Sequence, residues 1–510
     1  MAAPRPWLFA PLLVLLWGGV STAEPPPAAV GPSAVMTALS SLSSQRVFQD
    51  AEVGLQVVDV ASGSEVYGWQ ADKTLAPASV MKAVTSAVAL TTLGPAFRYL
   101  TTLSIDGSLS AEGVLKGNLY VKGSGDPTMV VERLWKLFAD LRVAGITRIE
   151  GDVIFDDSVF DNDHLIAGWT KKQDLAAGPA YFAPLGGLSV NQNAVAIVVV
   201  PNPAGSGPAQ IRLDTPSTMV ELDGDVRTVA AGRKSWTRVD REILEDEESM
   251  KFTVRGEIAA DAWPQYTYRA VSKPLPWFMG VVRDLLSRQG VAVKGRFREG
   301  MVPENSRDLR IIASQNSDSL AEMLATMNKQ SSNIIAESVL KSVGAKVYGG
   351  PGTTEKGTRA IAAYLDSIGV PKGQYTLVNG SGLSPEIRLR PSTINAVLVD
   401  MYKRPALAPE YLASMAVAGV DGTLKYRKAP SGLEGRVRGK TGTINGVYCL
   451  AGYVTAADGR VYAFSVLVNG NRRNGPVRAL QDSLTGTLLS TGAVIGSVSE
   501  GEEEGDGLEE

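Results

Sequence analysis

Ser79 and Lys82 stand three residues apart at the head of a strongly apolar stretch made by Val80, Met81, Ala83, Val84, Ala87, Val88 and Leu90. This pattern predicts a helix buried on most sides, and residues at i and i+3 share one helix face. A serine at a helix start gains from the N-terminal dipole, which favours an anion there. A lysine on a buried face is costly unless it is paired or used. Desolvation lowers its pKa and makes it a usable base. The pair therefore suits nucleophilic acyl transfer, with Lys82 drawing the proton from Ser79. The plain structural alternative is a helix cap followed by a lysine that snorkels to solvent.

Two further elements could complete such a centre. Ser331-Ser332-Asn333 falls at the junction of two expected helices, where Ser and Asn also serve as N-caps. Lys440-Thr441-Gly442 precedes an apolar strand, Val447 to Val454. Gly439-Lys440-Thr441 is not a phosphate loop. That motif needs a glycine five positions before Gly439, and Glu434 stands there.

Other chemistries are excluded by scarcity. The chain holds one cysteine, Cys449, and one histidine, His164. Zinc sites need several Cys or His ligands, so no metal is expected. Cys449 lies in an apolar run and reads as a small core residue. His164 follows an Asp-rich segment, Asp156 to Asp163, that reads as a loop and gives it no place in a Ser–His–Asp triad. A single cysteine also allows no internal disulfide.

The elements that must position these residues fall in two textures. Val53 to Val60 and Glu65 to Trp69 flank Ser62-Gly63, a hairpin signal, just before the Ser79 helix. From Ser317 the pattern is helical again. Ser319 and Glu322 form a capping box, and Leu320, Met323, Leu324 and Met327 share a face. Val447 to Val454 and Arg460 to Val468 alternate around Asp458-Gly459, a second hairpin. Between residues 99 and 313 short alternating runs are split by Gly, Pro and Asp, with one helix expected from Trp277 to Leu286. An α/β domain interrupted by a β-rich insertion is the simplest arrangement.

The chain has 510 residues with 44% hydrophobic and 20% charged residues, ordinary for a globular protein. Its net charge of −3 gives no footprint for nucleic acid. Arg5, the apolar stretch Leu8 to Trp17 and the small residues Ser21-Thr22-Ala23 predict a secretory signal over 1–23, hence an exported, extracytoplasmic protein. No later run is long enough to span a bilayer, so at most peripheral membrane contact is expected. Residues 24–34 read as a linker and the Gly/Glu-rich 499–510 as an acidic tail.

Taken in order, the three elements match the SxxK, SxN and KTG set of serine penicillin-recognising enzymes. About 250 residues separate the first two motifs and about 110 the last two. With Gly123-Ser124-Gly125-Asp126-Pro127, Gly380-Ser381-Gly382-Leu383-Ser384 and Gly419 to Leu424, the chain resembles the class C low-molecular-mass penicillin-binding proteins from residue 35 to 495. The resemblance implies a D-alanyl-D-alanine carboxypeptidase or endopeptidase acting on peptidoglycan peptides and acylated by β-lactams, without a cofactor. It implies a β-lactamase-like domain, an antiparallel sheet flanked by helices, formed by 24–98 and 314–498. An insert of 99–176 and 296–313 would enclose a second, nested β-rich insert of 177–295.

The resemblance also implies roles. Ser79 would attack the carbonyl of the penultimate D-alanine and Lys82 would take its proton. Ser331 would relay a proton to the leaving amine. Asn333 would hold the substrate amide and Lys82, and Lys440 would place positive charge beside Ser331. Thr441 and Thr443, with Gly442 between them, would receive the substrate carboxylate, and the N–H groups of Ser79 and Thr443 would form an oxyanion hole. The sequence departs from the family at Pro385, where an arginine that binds a diaminopimelyl carboxylate is usual. Arg388 could take over from a reshaped loop, or be a solvated surface charge. A β-lactamase would need a deacylating base, for which no motif is evident. A non-catalytic muropeptide-binding protein need not retain every one of these residues.

Overall fold

The computed structural model describes residues 32–169, 178–246, 248–427, 435–471 and 473–491. The expected signal segment and acidic tail lie outside these residues. The stretch read as a linker up to residue 34 is helical from Pro32 onward, in the helix Pro32–Ser40. Proline is tolerated there because first-turn N–H groups lack intrahelical partners.

Six strands form the central antiparallel sheet: β1 (Glu52–Asp59), β2 (Glu65–Trp69), β3 (Ala416–Val417), β4 (Val437–Ile444), β5 (Val447–Thr455) and β6 (Val461–Asn469). Their order is β3-β4-β5-β6-β1-β2. Both expected hairpins are present. β1 turns into β2 at Gly63 (φ 75°) and β5 into β6 at Gly459 (φ 85°), left-handed positions that glycine adopts without a Cβ clash. β1 pairs with β6 across the length of the chain, Val57 opposite Phe464. β4 pairs with β5 along its whole length but with β3 only at Arg438 and Gly439, so its edge is open from Lys440 onward.

Apolar residues cover both faces of this sheet. On one face pack α1 (Met81–Leu93), α2 (Leu320–Lys329) and α3 (Asn333–Tyr348), with Val84, Leu324, Val339 and Ala451 in a common core. On the other face lie the Pro32–Ser40 helix and α4 (Asn474–Leu489), whose Leu480 and Leu484 meet Leu55 and Val466. α1 is buried without interruption from Met81 to Leu90, as its nearly continuous apolar sequence demands. α2 begins with the expected capping box: Ser319 Oγ accepts from Glu322 N at 3.3 Å and Ser319 N donates to Glu322 Oε2 at 2.7 Å.

The stretch 99–313 lies in the chain between α1 and α2. Among the described residues it contains a five-stranded sheet that brings Leu100–Ile105 beside Arg310–Asn316, so its two ends meet. Further strands between residues 194 and 270 build two more sheets, and the expected helix spans Pro274–Arg288. Most buried apolar residues of this region, from Leu103 to Val291, belong to one cluster, while Phe160, Ile166, Trp169 and Leu185 join the core around α1 and α3. The Asp-rich loop is tied to α3, where buried Lys341 donates to Asp161 Oδ1 at 2.5 Å and to Asp163 O at 2.9 Å. No helix among the described residues is long and apolar enough to cross a membrane.

Candidate functional site

Ser79 lies in a short 3-10 turn, Ala78–Val80, that leads into α1. It is not the capping residue of that helix, which is Val80. Two glycines allow neighbouring chains to clasp this turn. At Gly382 (φ 79°) a Cβ would stand 1.9 Å from Ala78 O, and at Gly442 one would stand 2.5 Å from Pro77 O. The would-be Cβ of Gly442 also lies 3.1 Å from Ser79 N, so β4 runs directly beside the serine amide. Gly442, predicted to contact substrate, thus has a packing reason to be glycine.

One turn into α1, Lys82 is fully buried. Its Nζ donates to Ser79 Oγ at 3.0 Å, Asn333 Oδ1 at 2.7 Å and Ser381 O at 2.7 Å. Three acceptors match the three protons of an ammonium. Burial first, and the charge of Lys440 second, push Lys82 well below the ordinary lysine value, while Glu337 opposes them. The snorkelling alternative fails, because this side chain points inward.

Lys440 is equally buried. Its Nζ donates to Ser331 Oγ at 3.0 Å and to Thr441 O at 2.7 Å, and burial pushes it down to about 7. Ser331 is held at φ 61°, a left-handed conformation uncommon for a non-glycine residue. Ser332 is the N-cap of α3, accepting from Ile335 N at 3.5 Å. The capping and the chemical readings of Ser331-Ser332-Asn333 therefore coexist on adjacent residues. Thr441 Oγ1 lies 2.8 Å from Thr423 Oγ1, and Thr443 is exposed nearby on the same strand.

The structure thus brings Ser79, Lys82, Ser331, Asn333 and Lys440 together, with Thr441, Gly442 and Thr443 alongside. Arg388 is placed differently. It is exposed, and its guanidinium donates to the carbonyls of Pro385 and Ile387, the latter at 3.0 Å. No hydrogen bond among the described residues links it to the lysine cluster. His164 lies with Nδ1 2.9 Å from Leu185 O, outside the cluster. Cys449 is a buried core thiol whose Sγ donates to Ala76 O at 3.5 Å, and burial pushes it up to about 12.

Four contributors escaped the sequence reading. Glu337, one turn after Asn333 on α3, accepts from Gly380 N at 3.0 Å and Ser381 N at 2.7 Å, fixing the turn whose carbonyl receives Lys82. Burial pushes its carboxyl up. A lone glutamate inside the apolar run Ile334 to Val343 was the available signal. Ser381 lay in a recognised segment but carried no role. Tyr181 and Gln192 come from the insertion. Asn333 Nδ2 donates to Tyr181 O at 3.0 Å, and Ser332 Oγ donates to Gln192 Oε1 at 3.1 Å.

Chemically this is a serine hydroxyl against a depressed amine, with a second amine–hydroxyl pair beside it and an open strand edge. Such a site can form and release an acyl ester. Comparison with known proteins agrees. The family described as D-Ala-D-Ala carboxypeptidase 3 (S13) matches residues 35–488. The chain is 33% identical over 444 residues to a D-alanyl-D-alanine carboxypeptidase of Actinomadura sp. (strain R39), covering 84% of this chain and 80% of that protein. It is 26% identical over 430 residues to the D-alanyl-D-alanine carboxypeptidase DacB of Haemophilus influenzae, covering 84% and 87%. Its fold is similar to the crystal structure of penicillin binding protein 4 (dacB) from Haemophilus influenzae, with a TM-score of 0.74, 25% identity, and coverage of 88% of this chain and 99% of that one.

Proposed function

The chain belongs to the D-Ala-D-Ala carboxypeptidase 3 (S13) family, and we propose that it cleaves D-alanyl bonds of peptidoglycan stem peptides, as carboxypeptidase and endopeptidase, through an ester on Ser79. The observation that carries this reading is the buried Lys82 amine, held against Ser79 Oγ, Asn333 Oδ1 and Ser381 O, beside the Lys440–Ser331 pair.

Neutral Lys82 takes the Ser79 proton as Oγ attacks the carbonyl carbon of the penultimate D-alanine. The negative oxygen that forms is held by the N–H groups of Ser79 and Thr443, each such donor being worth ~3 kcal/mol. The C–N bond then breaks. Ser331 relays that proton from Lys82 to the leaving amine, which returns Lys82 to its neutral form, with Lys440 holding Ser331 in place. Water next attacks the ester and gives its proton to Lys82, which passes it to Ser79 Oγ as the ester breaks, freeing the peptide acid and the serine hydroxyl. Thr441 and Thr443 receive the terminal carboxylate at the open edge of β4. A β-lactam follows the first half, but its ring nitrogen stays tethered and blocks the site. Because the substrate is wall peptide, we place the protein outside the cytoplasm.

Incubation with monomeric pentapeptides and cross-linked dimers, read by mass, is expected to release D-alanine and uncoupled monomers. Unchanged peptides in both cases would overturn the reading.

Gln192 offers a finer check. Asn191, Gln192 and Asn193 are all left-handed, with φ of 51°, 54° and 52°, a run that costs ~1–2 kcal/mol per residue. Its flanks are anchored. Asn191 Nδ2 donates to Thr215 Oγ1 at 2.7 Å, and Asn193 Nδ2 donates to Pro184 O at 2.8 Å. Gln192 is left projecting onto Ser332. Removing one neutral hydrogen bond costs ~1 kcal/mol, about fivefold in rate. Q192A is expected to slow benzylpenicillin acylation by that amount. Q192E, which keeps the acceptor, should recover most of it. A wild-type rate in Q192A would mean that the insertion does not support the Ser331–Asn333 turn.

A further inference from the structure

Strand β4 presents different residues on its two faces, because successive side chains alternate. Lys440 and Gly442 turn toward Ser331 and Ser79, whereas Thr441 turns toward Thr423. A cavity of about 310 Å³ opens beside the threonines, walled by Thr441, Thr443, Tyr448, Tyr426, Asn474 and Arg478. It adjoins the reaction centre, because Gly442 also lines it.

Its charge is distinctive. Arg427, at the rim, is fully engaged: Nη1 donates to Asp482 Oδ1 at 2.6 Å and Nη2 to Gln481 Oε1 at 2.6 Å. Its charge is thereby matched. Arg478 is exposed, and among the described residues no carboxylate pairs with it. It rises from the second turn of α4, whose N-terminal residue, Asn474, faces the same space. Among the described residues Arg478 is thus a cation without a carboxylate partner at this cavity, reinforced by the positive end of a helix.

In the proposed reaction the terminal carboxylate rests on Thr441 and Thr443, so space beyond them belongs to the leaving group. A free D-alanine is too small to fill it, since cavities of ~300–1,000 Å³ hold drug-sized ligands. We propose that this cavity is the leaving-strand subsite of a cross-linked substrate. It receives the second, carboxylate-bearing stem peptide whose side-chain amine is acylated by the D-alanine, and Arg478 pairs with one of its carboxylates. The amide between the strands breaks, the D-alanyl carbonyl passes to Ser79 Oγ, and the freed amine departs with its proton and with the peptide held at Arg478. This deepens the acyl-transfer reading and rests on it.

The test compares the wild type with R478A and R478E in three assays: benzylpenicillin acylation, D-alanine release from a monomeric pentapeptide, and cleavage of a cross-linked dimer. One charge-assisted hydrogen bond corresponds to about a tenfold change. R478A is expected to lose about tenfold in kcat/KM on the dimer and R478E more, with the other two rates within about twofold of wild type. Unaltered penicillin acylation also certifies the fold. A loss of similar size in all three assays would assign Arg478 to the terminal carboxylate and overturn the proposal, as would unaltered dimer cleavage in both variants. A wild-type protein inactive in all three assays would instead refute the acyl-transfer reading itself.

Discussion

Alanine at position 79 is expected to abolish covalent labelling by benzylpenicillin and to lower D-alanine release by on the order of 10⁴-fold or more, the scale seen when a nucleophile is removed from a serine hydrolase. The structure gives the reason. Ser79 is the hydroxyl that Lys82 reaches at 3.0 Å. Three other hydroxyls of the site are engaged elsewhere: Ser331 with Lys440, Ser332 with Gln192 and Thr441 with Thr423. Intact-protein mass spectrometry should find one adduct on the wild type, on the peptide containing Ser79, and none on S79A. An undiminished adduct on S79A would remove Ser79 from the nucleophile role. The fold should tolerate the change, because Ser79 is only partly buried and caps no helix.

The second large effect concerns Lys82. As a base it must be neutral, and burial together with Lys440 pushes it well below 10.5. The sign follows: acylation is fast above the folded-state pKa and falls as pH drops through it, with a limiting slope of one on logarithmic axes. K82M keeps most of the volume but removes the base, and should slow acylation by ~10²–10⁴-fold. K82R keeps the charge but cannot release a proton at working pH, so it should be as slow as K82M. Pre-steady-state acylation followed from about pH 5 to 10 is the measurement. A flat profile, or a K82R enzyme at near wild-type speed, would exclude Lys82 as the base. A reporter on Lys440, pushed by burial to about 7, would separate the two lysines: K440M should retain the Lys82 limb and move it upward, because a neighbouring positive charge is lost.

Much of this was legible because it was local. The Ser79 helix announced itself by an apolar run that allows no solvent face, and the hairpins by Ser62-Gly63 and Asp458-Gly459. Ser319 and Glu322 specify their own capping box within four residues. The five central residues were found as three short motifs, each recognisable alone and convincing only in order. The missing contributors depend on approach between distant segments. Nothing about Gln192 marks it until the left-handed turn anchored by Asn191 and Asn193 aims it at Ser332. Tyr181 acts through its main-chain carbonyl, which any residue would supply. Arg388 shows the converse. The sequence suggested a guanidinium reaching back along its loop, and it does so, but its nearest acceptors are the carbonyls of Pro385 and Ile387.

The pairing of β1 with β6 has a consequence in time. Val57 lies opposite Phe464 in the middle of the central sheet, so a strand made early must wait roughly 400 residues for its partner, on the order of 20–80 s at 5–20 residues per second of synthesis. Such distant pairings carry a large loop-closure cost and make folding slow. The insertion, whose own ends meet as neighbouring strands, can close first and shorten that loop. Until β6 joins, Ser79 sits on a fragment without Lys440. The reaction centre therefore cannot be complete before the C-terminal hairpins are made, and its assembly is tied to the pairing of the first strand with the last.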